Sequence, residues 1–236
     1  MRVLAFESSA KTASVALLTD GVLTAEAYQN CGLTHSVTLL SMAEDLLKQA
    51  NVSTVEIDCY AVAYGPGSFT GVRIGVSAVK GLAWAAEKPC VGISTLEAMA
   101  TQHCFQDAIL CPVMDARRNQ VYNALFGVKD GTLHRMTEDR AISIEELAQE
   151  LKEIDGKIIL IGDGALLCYN CLGEALPQLQ LAPEAIRHQR AIGVAMAAYE
   201  RAKRGEYIRA EELTPFYLRM SQAERERLAR LEQEKN

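Results

Sequence analysis

The residues whose type and spacing could do chemistry gather at a few turns. Glu7-Ser8-Ser9 follows the apolar run Val3-Leu4-Ala5-Phe6 and sets a carboxylate and two hydroxyls where a strand should end. An acid there could hold a metal ion beside a bound phosphate. Gly65-Pro66-Gly67-Ser68-Phe69-Thr70-Gly71-Val72-Arg73 leaves a strand-like run and opens a helix-like one, so its amides could cradle an anion. No Lys-Ser/Thr pair follows its last glycine, and Gly71 comes one position late for a dinucleotide fingerprint. The same glycines also suit a tight turn in which backbone passes close to backbone. Glu7, Ser8, Gly65, Gly67 and Ser68 are therefore the candidates for a nucleotide or anion turn, and that turn competes with a purely structural one. In the second half, Asp115-Ala116-Arg117-Arg118-Asn119 has no glycine for a phosphate hairpin, and Gly162-Asp163-Gly164 fits a strand-to-helix loop better than an adenosine turn.

Metal and thiol chemistry find less support. His35, His103, His134 and His188 share no helical i,i+4 pairing, and none has a cysteine at ligand spacing. Cys168-Tyr-Asn-Cys171 is the single CxxC among seven cysteines, where a zinc site would want a second pair. Most of the cysteines sit in apolar stretches and read as reduced, buried thiols. No metal site and no catalytic residue is expected.

The elements that must carry these turns repeat. Asp20-Gly21 joins strand-like runs at 12–19 and 22–28, and Asp130-Gly131 joins runs at 120–128 and 132–138. Asp-Gly favours tight hairpins. A further strand-like run precedes each hairpin, at 2–6 and 109–114. After each come a helix, a strand and a helix: 36–50, 59–64 and 70–86, then 144–153, 157–161 and 165–172. Ser94-x-x-Glu97 and Ser143-x-x-Glu146 are capping-box signatures. Two passes of strand, strand, strand, helix, strand, helix predict an α/β protein. Its two tandem domains would be ribonuclease-H-like or actin-like (ASKHA), with mixed five-stranded sheets flanked by helices. The first would span 1–103, the second, degenerate one 104–205, and a tail with a charged surface helix from Ser221 would fill 206–236.

Composition limits the partners. Hydrophobic residues make up 49% and charged residues 23%, as in an ordinary globular protein. Residues 187–236 hold eleven Lys and Arg against eight Asp and Glu, a balance of +3 that leaves −9 of the overall −6 on the first 186 residues. An acidic body argues against this chain alone gripping a nucleic-acid backbone. Neither a signal-peptide pattern nor a membrane-length apolar run is present, so a cytoplasmic protein without membrane contact is expected.

Two helices carry more apolar surface than one sheet needs. Over 70–86 the polar residues Thr70, Arg73, Ser77 and Lys80, with Trp84, form one stripe of roughly 80°. Leu39, Leu40, Met42, Ala43, Leu46, Leu47 and Ala50 cover roughly 160° of the preceding helix. Either the chain's own tail covers that surplus or a partner subunit does; the expected partner-facing residues are Leu39, Leu40, Ala43, Leu46, Leu47, Gly71, Val72, Gly75, Val76, Val79 and Leu82, with Gly71 and Gly75 letting helices approach. Alone, the same surface could form a homodimer.

Val3-Leu4-Ala5-Phe6-Glu7-Ser8-Ser9, Ala63-Tyr64-Gly65-Pro66-Gly67-Ser68-Phe69-Thr70-Gly71-Val72-Arg73-Ile74-Gly75 and Met114-Asp115-Ala116-Arg117-Arg118-Asn119-Gln120-Val121-Tyr122 closely resemble TsaB (YeaZ-type) proteins. The likeness continues to Thr214-Pro215-Phe216-Tyr217-Leu218-Arg219, although Glu7-Ser8-Ser9 stands where that family commonly has Asp-Thr-Ser. The resemblance implies a non-catalytic subunit of the machinery that makes threonylcarbamoyladenosine (t6A) in tRNA. Its partners would be TsaD, a paralogue that transfers the threonylcarbamoyl group, and the ATPase TsaE. Contact with tRNA would be indirect, and ATP or ADP would enter only through TsaE or TsaD. The family's dimerisation surface uses the first two helices. The alternatives are a stand-alone ATP-dependent kinase-like or peptidase-like enzyme and, as a minor reading, direct tRNA contact by the basic C-terminal segment.

Overall fold

The computed structural model describes residues 1–219, so the expected helix from Ser221 lies outside the described residues. Strand β1 (Arg2–Glu7) pairs antiparallel with β2 (Ala13–Thr19), which turns through Asp20-Gly21, both at positive φ, into β3 (Val22–Gln29). Helix α1 (His35–Gln49) then leads to β4 (Cys59–Gly65), and α2 (Phe69–Ala85) leads to β5 (Cys90–Ser94). β4 runs parallel to both β1 and β5, giving the sheet order β3-β2-β1-β4-β5. Strands β1, β2 and β4 are apolar along nearly their whole length because the sheet is covered on both faces. α1 and α2 cover one face with Leu39, Leu46, Val72 and Val76.

The second half repeats this order with its long strands broken. Helix α3 (Thr95–Gln102), capped by Ser94, leads to β6 (Ala108–Asp115). The expected strand at 120–128 is two: β7 (Gln120–Asn123) pairs with the end of β6, and β8 (Phe126–Lys129) pairs with its start. Likewise β9 (Thr132–Arg135) pairs with β8, and β10 (Arg140–Ser143) pairs with β7. At the breaks, the Leu125 amide donates to Thr137 Oγ1 at 2.8 Å and its carbonyl accepts from Met136 at 2.8 Å. That exchange satisfies the backbone where the ladder stops. Helix α4 (Ile144–Lys152), with the expected Ser143/Glu146 capping box, leads to β11 (Ile158–Ile161). Helix α5 (Ala165–Leu172) then leads to β12 (Leu179–Leu181). The path β10-β7-β6-β11-β12 mirrors the first sheet, and the broken strands bring it to seven strands.

The halves are laced together. After a short α6 (Glu184–Arg187), helix α7 (Ala191–Lys203) crosses back beyond the 103/104 boundary and lays Ala191, Val194, Ala195 and Ala198 on the other face of the first sheet. α3 lends Leu96, Met99 and Ala100 to the core under the second sheet. Residues 207–219 then run as a strap over the first domain: Ile208 bridges Cys90, Leu213 is buried, and Arg219 donates to the Ala116 carbonyl at 2.9 Å.

Candidate functional site

The structure brings the five candidate anion-turn residues together and packs the turn against the chain's own backbone. Glu7 ends β1 fully enclosed, its Oε1 accepting the Ser9 amide at 2.6 Å. Burial pushes its carboxyl up to about 7 against the opposing Ser9 hydrogen bonds, and nearby Asp163 adds to the rise. Ser8 Oγ donates to the Gly71 carbonyl at 2.9 Å. The Ser68 amide is taken by the Ser9 carbonyl at 2.7 Å, while Ser68 Oγ accepts from Gly71 N at 3.3 Å and caps α2. Gly65 sits at φ +125°, and a Cβ there would lie 2.2 Å from the Phe216 carbonyl oxygen; at Gly67 it would lie 2.5 Å from that of Ser9. The glycines at 65 and 67 thus serve the close passage of backbone that the tight-turn alternative expects.

Nearby Asp163 is half-buried and accepts from Gln189 Nε2 at 2.7 Å, and desolvation raises its carboxyl. Glu7 Oε2, Ser9 Oγ and Gln189 Oε1 are buried with no hydrogen-bond partner. No group of three or more His, Cys, Asp or Glu side chains among the described residues is placed to hold a metal ion. Sequence reasoning placed Asp163 in a strand-to-helix loop and passed over Gln189, because only the tertiary fold sets Asp163 beside Glu7 and Gln189 against Asp163. His35 Nε2 lies 2.7 Å from the Ala10 carbonyl and ties the start of α1 to the β1–β2 turn.

Most of the expected partner-facing residues point inward, which corrects that list. Leu39, Ala43, Leu46 and Leu47 on α1 and Gly71, Val72, Gly75, Val76 and Val79 on α2 are buried against their own sheet, Val79 completely. Gly71 and Gly75 serve an internal contact: a Cβ at Gly71 would lie 2.0 Å from the Ser8 carbonyl oxygen, and one at Gly75 2.6 Å from Ser8 Oγ. Leu82 is half-buried, and Leu40 keeps 49% of its surface exposed. The polar stripe is where the sequence put it, with Thr70, Arg73, Ser77 and Trp84 exposed on α2.

Beside that stripe an apolar surface remains open. Ile74, Ala78 and Leu82 run along α2, half-buried, and Leu40 with Val37 (73% exposed) looks out from α1. Between the helices lies a groove of about 570 Å3, lined by His35, Leu39, Leu40, Ile74, Ser77 and Ala78, with Thr70 and Arg73 at its edge. Arg73 Nε donates to the Tyr217 hydroxyl at 2.7 Å, and Tyr217 stacks on Phe69 with ring centres 4.8 Å apart, so the strap braces one end. Ile74 and Ala78 were missed although the pattern held a signal. They flank the polar stripe, whereas the residues opposite it must face the sheet.

Two sheets of matching strand order, each with helices on its faces, define the actin-like class of α/β proteins. A ROK hexokinase from Thermus thermophilus shares the fold at a TM-score of 0.50 and 13% identity, over 87% of this chain and 100% of the other. The model of the family TsaD, tRNA N6-adenosine threonylcarbamoyltransferase, matches residues 20–227. The tRNA threonylcarbamoyladenosine biosynthesis protein TsaB of Bacillus subtilis (strain 168) is 32% identical over 225 residues, 95% of this chain and 96% of that one. A solved Pseudomonas aeruginosa protein with similarity to the peptidase YeaZ is 29% identical at a TM-score of 0.79, covering 92% of this chain and 99% of its own. The chain belongs to the TsaB family of tRNA threonylcarbamoyladenosine biosynthesis proteins, within the broader family that the TsaD model describes.

Proposed function

We propose that this chain is a non-catalytic scaffold of the t6A machinery. In this reading it pairs with TsaD, a protein of its own fold, and helps recruit TsaE. TsaD transfers the threonylcarbamoyl group to N6 of the adenosine 3′ of the anticodon in tRNAs that read ANN codons. The observation that carries the reading is the open groove between α1 and α2, bordered by exposed Leu40 and half-buried Ile74 and Ala78. Covering a few hundred Å2 of apolar surface at ~25 cal/mol/Å2 contributes several kcal/mol before association costs. The fit of groove to partner then decides affinity. Nucleotide enters through TsaE or TsaD, and tRNA is held by the assembly rather than by this chain alone.

Reconstituting threonylcarbamoyl transfer with purified TsaD and TsaE, with and without this chain, tests the proposal. Transfer should require the chain, while the isolated chain should neither bind Mg-ATP in a calorimetric titration nor transfer the group. Transfer that proceeds without it, or micromolar Mg-ATP binding to the chain alone, would overturn the scaffold reading. The second outcome would favour the kinase-like alternative.

A further inference from the structure

The turn between β6 and β7 holds three consecutive residues in the left-handed region: Arg117 at φ 63°, Arg118 at 55° and Asn119 at 60°. None is glycine, so each carries the steric penalty of a Cβ in that conformation. The surroundings hold the turn in place. Asp115 Oδ1 accepts the Arg117 amide at 2.7 Å, the Asn119 carbonyl accepts from Ile144 at 3.2 Å, and Asn119 Nδ2 donates to Glu145. Arg219 of the strap clamps the Ala116 carbonyl. The two guanidinium groups on this braced turn are exposed and have no hydrogen-bond or ion-pair partner among the described residues. Every other arginine among those residues is engaged, by a carboxylate, by the Tyr217 hydroxyl (Arg73) or by a carbonyl (Arg219). Even exposed Asp115, two residues away, accepts from the Arg117 amide and not from its side chain. The pair also lies beyond the carboxyl end of β6, the end of such a sheet where ligands dock.

We infer that Arg117 and Arg118 form a contact point for the phosphodiester backbone of RNA, presented on a pre-set turn. Guanidinium forks bind phosphate bidentately, and a backbone offers a phosphate at each nucleotide. Two unpaired arginines on a body carrying −9 over its first 186 residues give a local contact within an assembly, not a stand-alone binding face. The inference rests on the reading that the assembly acts on tRNA.

The test measures tRNA binding by the complex of this chain with TsaD and TsaE across a series of salt concentrations. Arg117→Ala/Arg118→Ala keeps a Cβ at both positions and so leaves the turn's backbone demand unchanged. It should weaken binding about tenfold and make the slope of log K against log salt shallower by about one to two. Arg117→Lys/Arg118→Lys should keep most of the slope. Gel filtration should show the complex intact, and thermal melting of the variant chain should match wild type. An unchanged affinity and slope in an intact complex would overturn the inference alone. Loss of the complex itself would overturn it in favour of an acidic protein partner. If the wild-type complex bound no tRNA, the functional reading would fail and this inference with it.

Discussion

Glu7 is a carboxyl held out of water with one oxygen unsatisfied, so its ionisation opposes folding. In the unfolded chain it ionises near its ordinary value of 4.5; in the fold it does so at about 7. Below pH 4.5 both states hold the proton and nothing is lost. Between 4.5 and 7 the unfolded state sheds its proton first and stability falls, reaching a plateau above 7 that costs roughly 3 kcal/mol. Glu7→Gln should flatten this dependence, and melting curves at pH 4.5, 6 and 8 check it; parallel wild-type and variant curves would contradict it. Gly71 makes a second prediction at this scale. Gly71→Ala places a methyl against the Ser8 carbonyl and should cost about 2 kcal/mol or more in urea unfolding of the isolated chain. A glycine needed only for a partner contact would leave that measurement unchanged. The acid and the glycines at these turns were legible in the sequence, but what fills the space around them was not. The carbonyls of Ser8, Ser9 and Phe216 arrive from chain segments up to 151 positions distant.

Among the elements, the helices and hairpins that were expected came close to their bounds because apolar periodicity, Asp-Gly turns and capping boxes are local signals, whereas α7 at Ala191–Lys203 was not foreseen. β7 and β8 read as one strand because their break at Ala124 and Leu125 is buried and apolar, with no Gly or Pro to mark it. The inward and outward faces of α2 were confused for a physical reason. Glycine and alanine count as apolar surplus in sequence, whereas here small size serves close packing on β1 and β4. The strap at 207–219 had no periodic signal at all, yet it carries weight. Lys80 donates to the Glu211 and Leu213 carbonyls at 3.2 and 3.1 Å, Phe216 stacks on Tyr64, and Leu213 is fully enclosed. Leu213→Ala should destabilise the chain by about 2–4 kcal/mol, a loss that urea denaturation followed by circular dichroism reads directly.

For the molecule as a whole, the crossing of α7 and the anchoring of Arg219 tie two matching halves into one body with its α1–α2 groove open. No helix among the described residues is long and apolar enough to cross a membrane. The proposed occupant of this groove is TsaD. Isothermal titration of TsaD with this chain and with its Ala78→Glu variant tests it, since Ala78 lines the groove and is only half-buried. The variant should melt within a few degrees of wild type and bind TsaD at least about a hundredfold more weakly, because a carboxylate is buried unpaired in an apolar contact. Equal affinities for the two proteins would contradict it.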